Sequence, residues 1–137
     1  MIISGSVLAT WELLKDLLIP IGIYYGVVFS GLIILYCWDD LVEWVKKSFL
    51  NIKTVFKNSE IVGYSRKLFA YMKDKSMRLV LKVYFKLKNG KWGSPPEEEF
   101  PIVEITEEKV PLWAKESLTD KEKDVTERYE KELELSL

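Results

Sequence analysis

The chain has 137 residues and a formal net charge of −1, a length that allows one small domain besides any membrane segment. It contains no histidine and a single cysteine, Cys37, which excludes an internal disulfide, a Cys/His zinc site and any catalytic pair that depends on histidine. The charge is segregated, because residues 41–94 carry thirteen Lys and Arg against three acidic residues, whereas residues 95–137 carry six against fourteen. Abundant Lys and Glu with no Gln is also a composition typical of thermophile proteins.

A long uncharged run lies near the N-terminus. The 22 residues from Leu17 to Trp38 carry no charge, and as a helix they would extend roughly 33 Å. Since the hydrocarbon core of a bilayer is about 30 Å thick, the run predicts a transmembrane helix over 17–38, after a short extracytoplasmic N-terminus over 1–16. No basic n-region precedes the run and no small-residue cleavage site follows it, so the helix is predicted to be retained.

The flanking lysines predict the orientation of this helix. Lys15 alone precedes the run, whereas four lysines follow it within about 20 residues. The positive-inside rule then predicts a single-pass membrane protein with its N-terminus outside and its C-terminus in the cytoplasm or facing a particle interior. On the helix itself, small residues recur every four positions and predict a contact with a second helix: Gly22, Gly26 and Ser30.

Residues 39–58 read as a basic amphipathic helix. Asp40 and Glu43 have the spacing of a capping box, and apolar residues then recur three and four positions apart. Such a helix could lie on a membrane surface, pack on the chain's own domain or form a coiled coil. The residues predicted at the membrane interface, including those around the spanning helix, are Trp11, Tyr36, Trp38, Trp44, Lys46, Lys47, Phe49, Lys53 and Phe56.

Residues 59–106 are predicted to form a small basic α+β domain. Residues 77–87 alternate between an apolar and a basic face, which indicates a strand, and Asn89-Gly90 is a hairpin signal before a return at Lys91-Trp92. A second strand is predicted over 100–106, whereas residues 61–73 are ambiguous between helix and strand. We expect a small antiparallel sheet of two to four strands packed on a helix.

The same basic region suggests an alternative role. Its lysines and arginines could contact phosphates while nearby rings stack on bases, the candidate rings being Tyr64, Tyr71, Tyr84 and Trp92. The sequence contains no recognised nucleic-acid motif, and basic residues after a membrane anchor already follow from topology. Nucleic acid is therefore the less favoured partner.

Residues 107–137 form an acidic tail that is helical or flexible. Thr119 and Glu122 have capping-box spacing and predict a final helix through about Leu133. The tail could dock on the chain's own basic surface or on a partner. Its candidate partner-binding residues are Trp113, Tyr129 and Leu133.

Taken together, the sequence predicts a membrane protein of the α+β class with one N-terminal transmembrane helix, an amphipathic helix, a small antiparallel sheet and the acidic tail. No catalytic residues, metal site or cofactor are predicted, since no Gly-rich phosphate loop or buried acid–base pair is recognisable. The predicted function is that of a non-enzymatic structural or accessory subunit, in a membrane complex or as a virion component of a lipid-containing particle. Its predicted partners are the lipid bilayer and other protein subunits, including a second copy, and the alternative is a membrane tether for nucleic acid.

Overall fold

The structure is a computed structural model that describes residues 32–54, 61–94, 97 and 100–135. The strands are β1 (Leu32–Leu35), β2 (Ile61–Lys73), β3 (Ser76–Leu87), β4 (Trp92–Gly93), β5 (Ile102–Thr106) and β6 (Lys123–Asp124). The α-helices are α1 (Trp38–Thr54), α2 (Leu112–Lys115) and α3 (Thr126–Glu132), and a 3₁₀ helix spans Glu107–Lys109.

These strands form one mixed sheet in the order β1-β5-β3-β2-β6, with β4 paired to β3. The long β2–β3 hairpin supplies its centre because alternate residues of both strands are apolar and become buried on the same side. We call the side that packs against α1 and α3 the helix face, and the opposite side the open face. The helix face of β3 is buried along its whole length, through Met77, Leu79, Leu81, Val83, Phe85 and Leu87.

The prediction of a transmembrane helix over 17–38 is wrong. Residues 32–35 form β1, which pairs parallel to β5, and Trp38 begins the separate helix α1. A short uncharged run can be a strand as well as a helix, and here the β-branched pair Ile33-Ile34 extends along β5. Residues 17–31 of this prediction lie outside the described residues.

The predicted membrane location depended on that helix and is wrong for the same reason. Within the part of the chain that the structure describes, no helix is long and apolar enough to cross a bilayer. The predicted single-pass topology, with the N-terminus outside and the C-terminus in the cytoplasm, is therefore overturned. The contact face of Gly22, Gly26 and Ser30 and the interfacial Trp11 lie outside the described residues.

The predicted small antiparallel sheet also needs correction. Six strands are present among the described residues, and the β1–β5 pair is parallel. A parallel pair needs a crossover connection, and here residues 36–101, which include α1 and the central hairpin, connect the two strands. Sequence periodicity could not anticipate this pairing because it joins segments that are far apart in the chain.

Helix α1 packs on the chain's own sheet rather than on a membrane surface or in a coiled coil. Its apolar stripe Leu41, Val45, Phe49 and Ile52 is almost completely buried in the core. From β2, the buried Arg66 reaches this helix, where its Nη1 donates a hydrogen bond of 3.0 Å to the carbonyl oxygen of Phe49. The guanidinium also stacks over the Phe49 ring at 4.1 Å from its centroid, so one cation connects α1 to the sheet.

The acidic C-terminal region folds onto the same core. The rings of Trp38, Trp113 and Tyr129 form a cluster with centroid separations between 5.3 and 6.1 Å. Edge-to-face contacts of this kind join the start of α1 to α2 and α3. The predicted helix start at Thr119 is wrong, because residues 119–124 follow the edge of β2 and α3 begins only at Thr126.

Candidate interaction surface

Strand β1 lies at one edge of the sheet and carries a run of exposed apolar side chains. One side of β1 bonds to β5, and no described strand pairs with its other side. Leu32, Ile33 and Ile34 are 44%, 43% and 65% exposed, and Tyr36, directly after the strand, is 87% exposed. Only Leu35 turns into the core.

The side chains of β1 point to both faces of the sheet. In the parallel register Leu32 lies beside Ile102 on the open face, whereas Ile33 lies beside Val103 on the helix face. Val103 is buried and Ile33 is not, so the helices leave Ile33 uncovered. Among the described residues, the outer backbone groups of this edge therefore have no strand partner, and they lie between two rows of apolar side chains.

The opposite edge of the sheet is covered by the chain itself. Residues 119–126 run along β2, where the N–H of Met72 donates to the carbonyl of Thr119 at 2.7 Å and the N–H of Val125 donates to the carbonyl of Leu68 at 2.9 Å. The strand at this edge, β6, has two residues, and both are charged. Short charged edge strands resist strand addition, whereas the four residues of β1 are all uncharged and apolar.

The open face of the sheet is a second candidate surface. Strand pairing makes residues of β2, β3 and β4 direct neighbours on it. The β2–β3 register pairs Tyr71 with Arg78, Phe69 with Val80 and Lys67 with Lys82. Farther along β3, Lys86 pairs with Trp92 of β4. Three of the four predicted stacking rings, Tyr71, Tyr84 and Trp92, thus share the open face, whereas Tyr64 packs against the core on the helix face.

Two cations of the open face are paired with carboxylates. The Lys82 ammonium donates to Glu97 at 2.7 Å and to Glu122 at 3.0 Å, and it lies 4.6 Å from the centroid of the Phe69 ring. Burial by itself lowers the pKa of Lys82, but the hydrogen bonds to the two glutamates more than offset it, so that the pKa is raised. Arg78 donates from Nε to Glu104 at 3.0 Å. Carboxylates from the acidic part of the chain, residues 95–137, therefore neutralise part of the basic face.

The remaining predicted site residues occupy structural positions. At the predicted membrane interface, Trp38 and Phe49 pack in or against the core, Trp44 is half-buried, and Lys46 and Lys47 are exposed on α1. Nothing is described for the Lys53 side chain or for Phe56. Of the predicted partner-binding residues, Tyr129 and Leu133 are buried in the chain's own core and Trp113 packs against it, which is the self-docking alternative.

Sequence reasoning missed β1 and the aromatic ring of Phe69. No local pattern identified the face of Phe69, because residues 68–72 are all apolar and Arg66 takes a position on the helix face. Strand β1 was missed because its four residues belong to the longer uncharged run 17–38, whose length favoured a transmembrane helix. Among the described residues, no group of three or more metal-binding side chains is found.

Comparison of the chain with protein-family models, with curated proteins and with solved structures finds no match.

Proposed function

We propose that this protein is a non-enzymatic structural or accessory subunit that joins a protein assembly through strand addition at β1. The observation that carries the proposal is the exposed, uncharged edge formed by Leu32, Ile33 and Ile34. An added strand would satisfy the unpaired backbone groups of β1 and cover its apolar side chains at the same time.

The contrast between the two sheet edges supports this role. The β2 edge is covered by the chain's own segment 119–126, whereas β1 has no proline, no charge and no described neighbour on its outer side. Exposed apolar edges promote association unless they serve an interface. The adjoining Tyr36, exposed and aromatic, has the character of an interface anchor.

The test compares two lysine substitutions in the full-length chain. Ile34→Lys introduces a charge into the edge, and Leu50→Lys does the same on the outer side of α1, where the native side chain is equally exposed at 62% against 65%. Tagged wild-type and variant proteins are purified from the native source, and the partner is identified by mass spectrometry with its stoichiometry. We expect a stoichiometric partner to be retained by wild type and Leu50→Lys and lost by Ile34→Lys.

Deuterium exchange of the purified complex then tests the mode of binding. Strand addition should slow amide exchange in residues 32–35, because their outward N–H groups gain acceptors. Equal recovery of the partner by both lysine variants, or unchanged exchange in β1, would contradict the proposal. Circular dichroism of the two variants checks that each is folded.

A further inference from the structure

The open face brings together aromatic rings and cations in a linear arrangement. Tyr71 lies beside Arg78 near one end, Phe69 lies beside Lys82 in the middle, and Trp92 lies beside Lys86 near the other end. Arg78 and Lys86 are eight positions apart on β3, which corresponds to roughly 27 Å at about 3.4 Å per residue. A track of that length can accommodate several nucleotides of an extended strand.

The charges on this face favour an anionic ligand. Five cations lie on it, and four carboxylates lie on it or approach the cations: the cations are Lys67, Lys73, Arg78, Lys82 and Lys86, and the carboxylates are Glu97, Glu104, Glu122 and Asp124. Within the part of the chain that the structure describes, no salt bridge involves Lys67, Lys73 or Lys86. Lys67 and Lys73 are also exposed.

The rings differ in how open they are to a ligand. Trp92 is 43% exposed. Tyr71 is half-buried, and Lys73, two residues farther along β2, is exposed. Tyr84 instead packs against Phe100 at 5.7 Å between centroids, and the Phe69 ring is covered by Lys82. Tyr71 and Trp92 are therefore the two rings on which a base could stack.

We propose that the open face binds single-stranded nucleic acid, with Lys67, Lys73 and Lys86 contacting phosphates and Tyr71 and Trp92 stacking on bases. A single strand fits better than a duplex, since stacking on a side chain requires bases that are not already stacked in a helix. Sequence-independent binding of this type combines a basic track with aromatic platforms. The residues proposed to contact the ligand lie on β2, β3 and β4 and none of them lies on β1, so this inference does not depend on the proposed function.

The test measures fluorescence anisotropy of labelled oligo(dT) and oligo(U) with the full-length chain at low and high salt. We expect binding at low salt that weakens as salt increases, because phosphate contacts release counterions. Tyr71→Ala and Trp92→Ala should each weaken binding by about tenfold, whereas Tyr71→Phe, which retains the ring, should bind like wild type. Tighter binding of oligo(U) or of oligo(dT) would assign the ligand to RNA or DNA, and both outcomes support the proposal.

A matched lysine pair separates a defined site from general charge attraction. Lys67→Ser removes an exposed cation from the open face, and Lys131→Ser removes an exposed cation from α3 on the other side of the sheet. Lys67→Ser should reduce both the affinity and its salt dependence, whereas Lys131→Ser should leave them nearly unchanged. Absence of binding at low salt, equal effects of the two serine variants, or full affinity of Tyr71→Ala would each overturn the proposal.

Discussion

At the scale of single residues, Tyr129 connects the C-terminal region to the core. Its ring is 1% exposed and contacts both Trp38 and Trp113, and its hydroxyl donates to the Met77 sulfur at 3.6 Å. Burial raises the pKa of this phenol well above its ordinary value of 10.0, because no charged partner compensates the loss of water. The folded chain therefore keeps a proton that the unfolded chain releases in alkaline solution.

Tyr129→Phe should remove part of the alkaline destabilisation. Because the folded-state pKa is raised, the stabilisation is complete below pH 10 and is lost as the pH rises towards the folded-state value. Between pH 8 and pH 10.5 this group alone should lower the free energy of unfolding of wild type by about 0.8 kcal/mol. Urea unfolding of both proteins at the two pH values measures the difference, and identical pH dependence would show that Tyr129 does not contribute.

At the scale of elements, the turn between β2 and β3 has an unfavoured residue, Lys75, at its second position. Asp74 and Lys75 connect the paired residues Lys73 and Ser76, and both have positive φ angles, of 50° and 61°. A two-residue connection with positive φ at both positions is a type I′ turn, for which Asn-Gly is the preferred sequence. The long pairing of β2 with β3 holds this turn in its conformation, although Lys75 disfavours a positive φ angle.

The double substitution Asp74→Asn with Lys75→Gly should stabilise the protein by about 1 kcal/mol, because both new residues adopt positive φ more readily. Thermal unfolding measures the change. Lys73→Gly is the matched control, since Lys73 is exposed and belongs to β2, where glycine weakens a strand. Stabilisation by the control as well would show that backbone strain at the turn is not the cause.

At the scale of the whole molecule, hydrogen bonds join segments that are far apart in sequence. The hydroxyl of Thr126 accepts a hydrogen bond of 2.8 Å from the N–H of Leu68 and donates one of 3.4 Å to the carbonyl of the same residue. The side chain thus continues the short pairing of β6 along β2. Together with Glu122 at Lys82, it holds the acidic C-terminal region on the basic hairpin.

Thr126→Val should destabilise the protein by about 1 to 3 kcal/mol, because a partly buried backbone N–H loses its acceptor while the size of the side chain is retained. Thr126→Ser, which keeps the hydroxyl, should lose much less. Urea unfolding of the three proteins measures the difference. Equal stability of the valine and serine variants would indicate that water replaces the hydroxyl at no cost.

The amino-acid sequence by itself determined the elements whose periodicity is local. The alternation of β3 and the apolar stripe of α1 were predictable, because neighbouring residues on one face must be buried together. The hairpin signalled by Asn89-Gly90 is also present, although its connection spans residues 88–91 rather than these two residues alone. Gly90 has a φ of 87°, which explains why glycine follows Asn89 there. The candidate stacking residues Tyr71, Tyr84 and Trp92 were also identified from the sequence.

Only the tertiary structure decided what those elements pack against. An uncharged run and an amphipathic stripe indicate burial but not whether lipid, a partner or the chain's own sheet provides it. The pairing of β1 with β5 over a long separation made residues 32–35 a strand rather than the end of a membrane helix. The β2–β3 and β3–β4 pairings placed the aromatic rings on one face, and the β1–β5 pairing left β1 at the edge of the sheet that the structure describes, because strand order depends on contacts that no local pattern records.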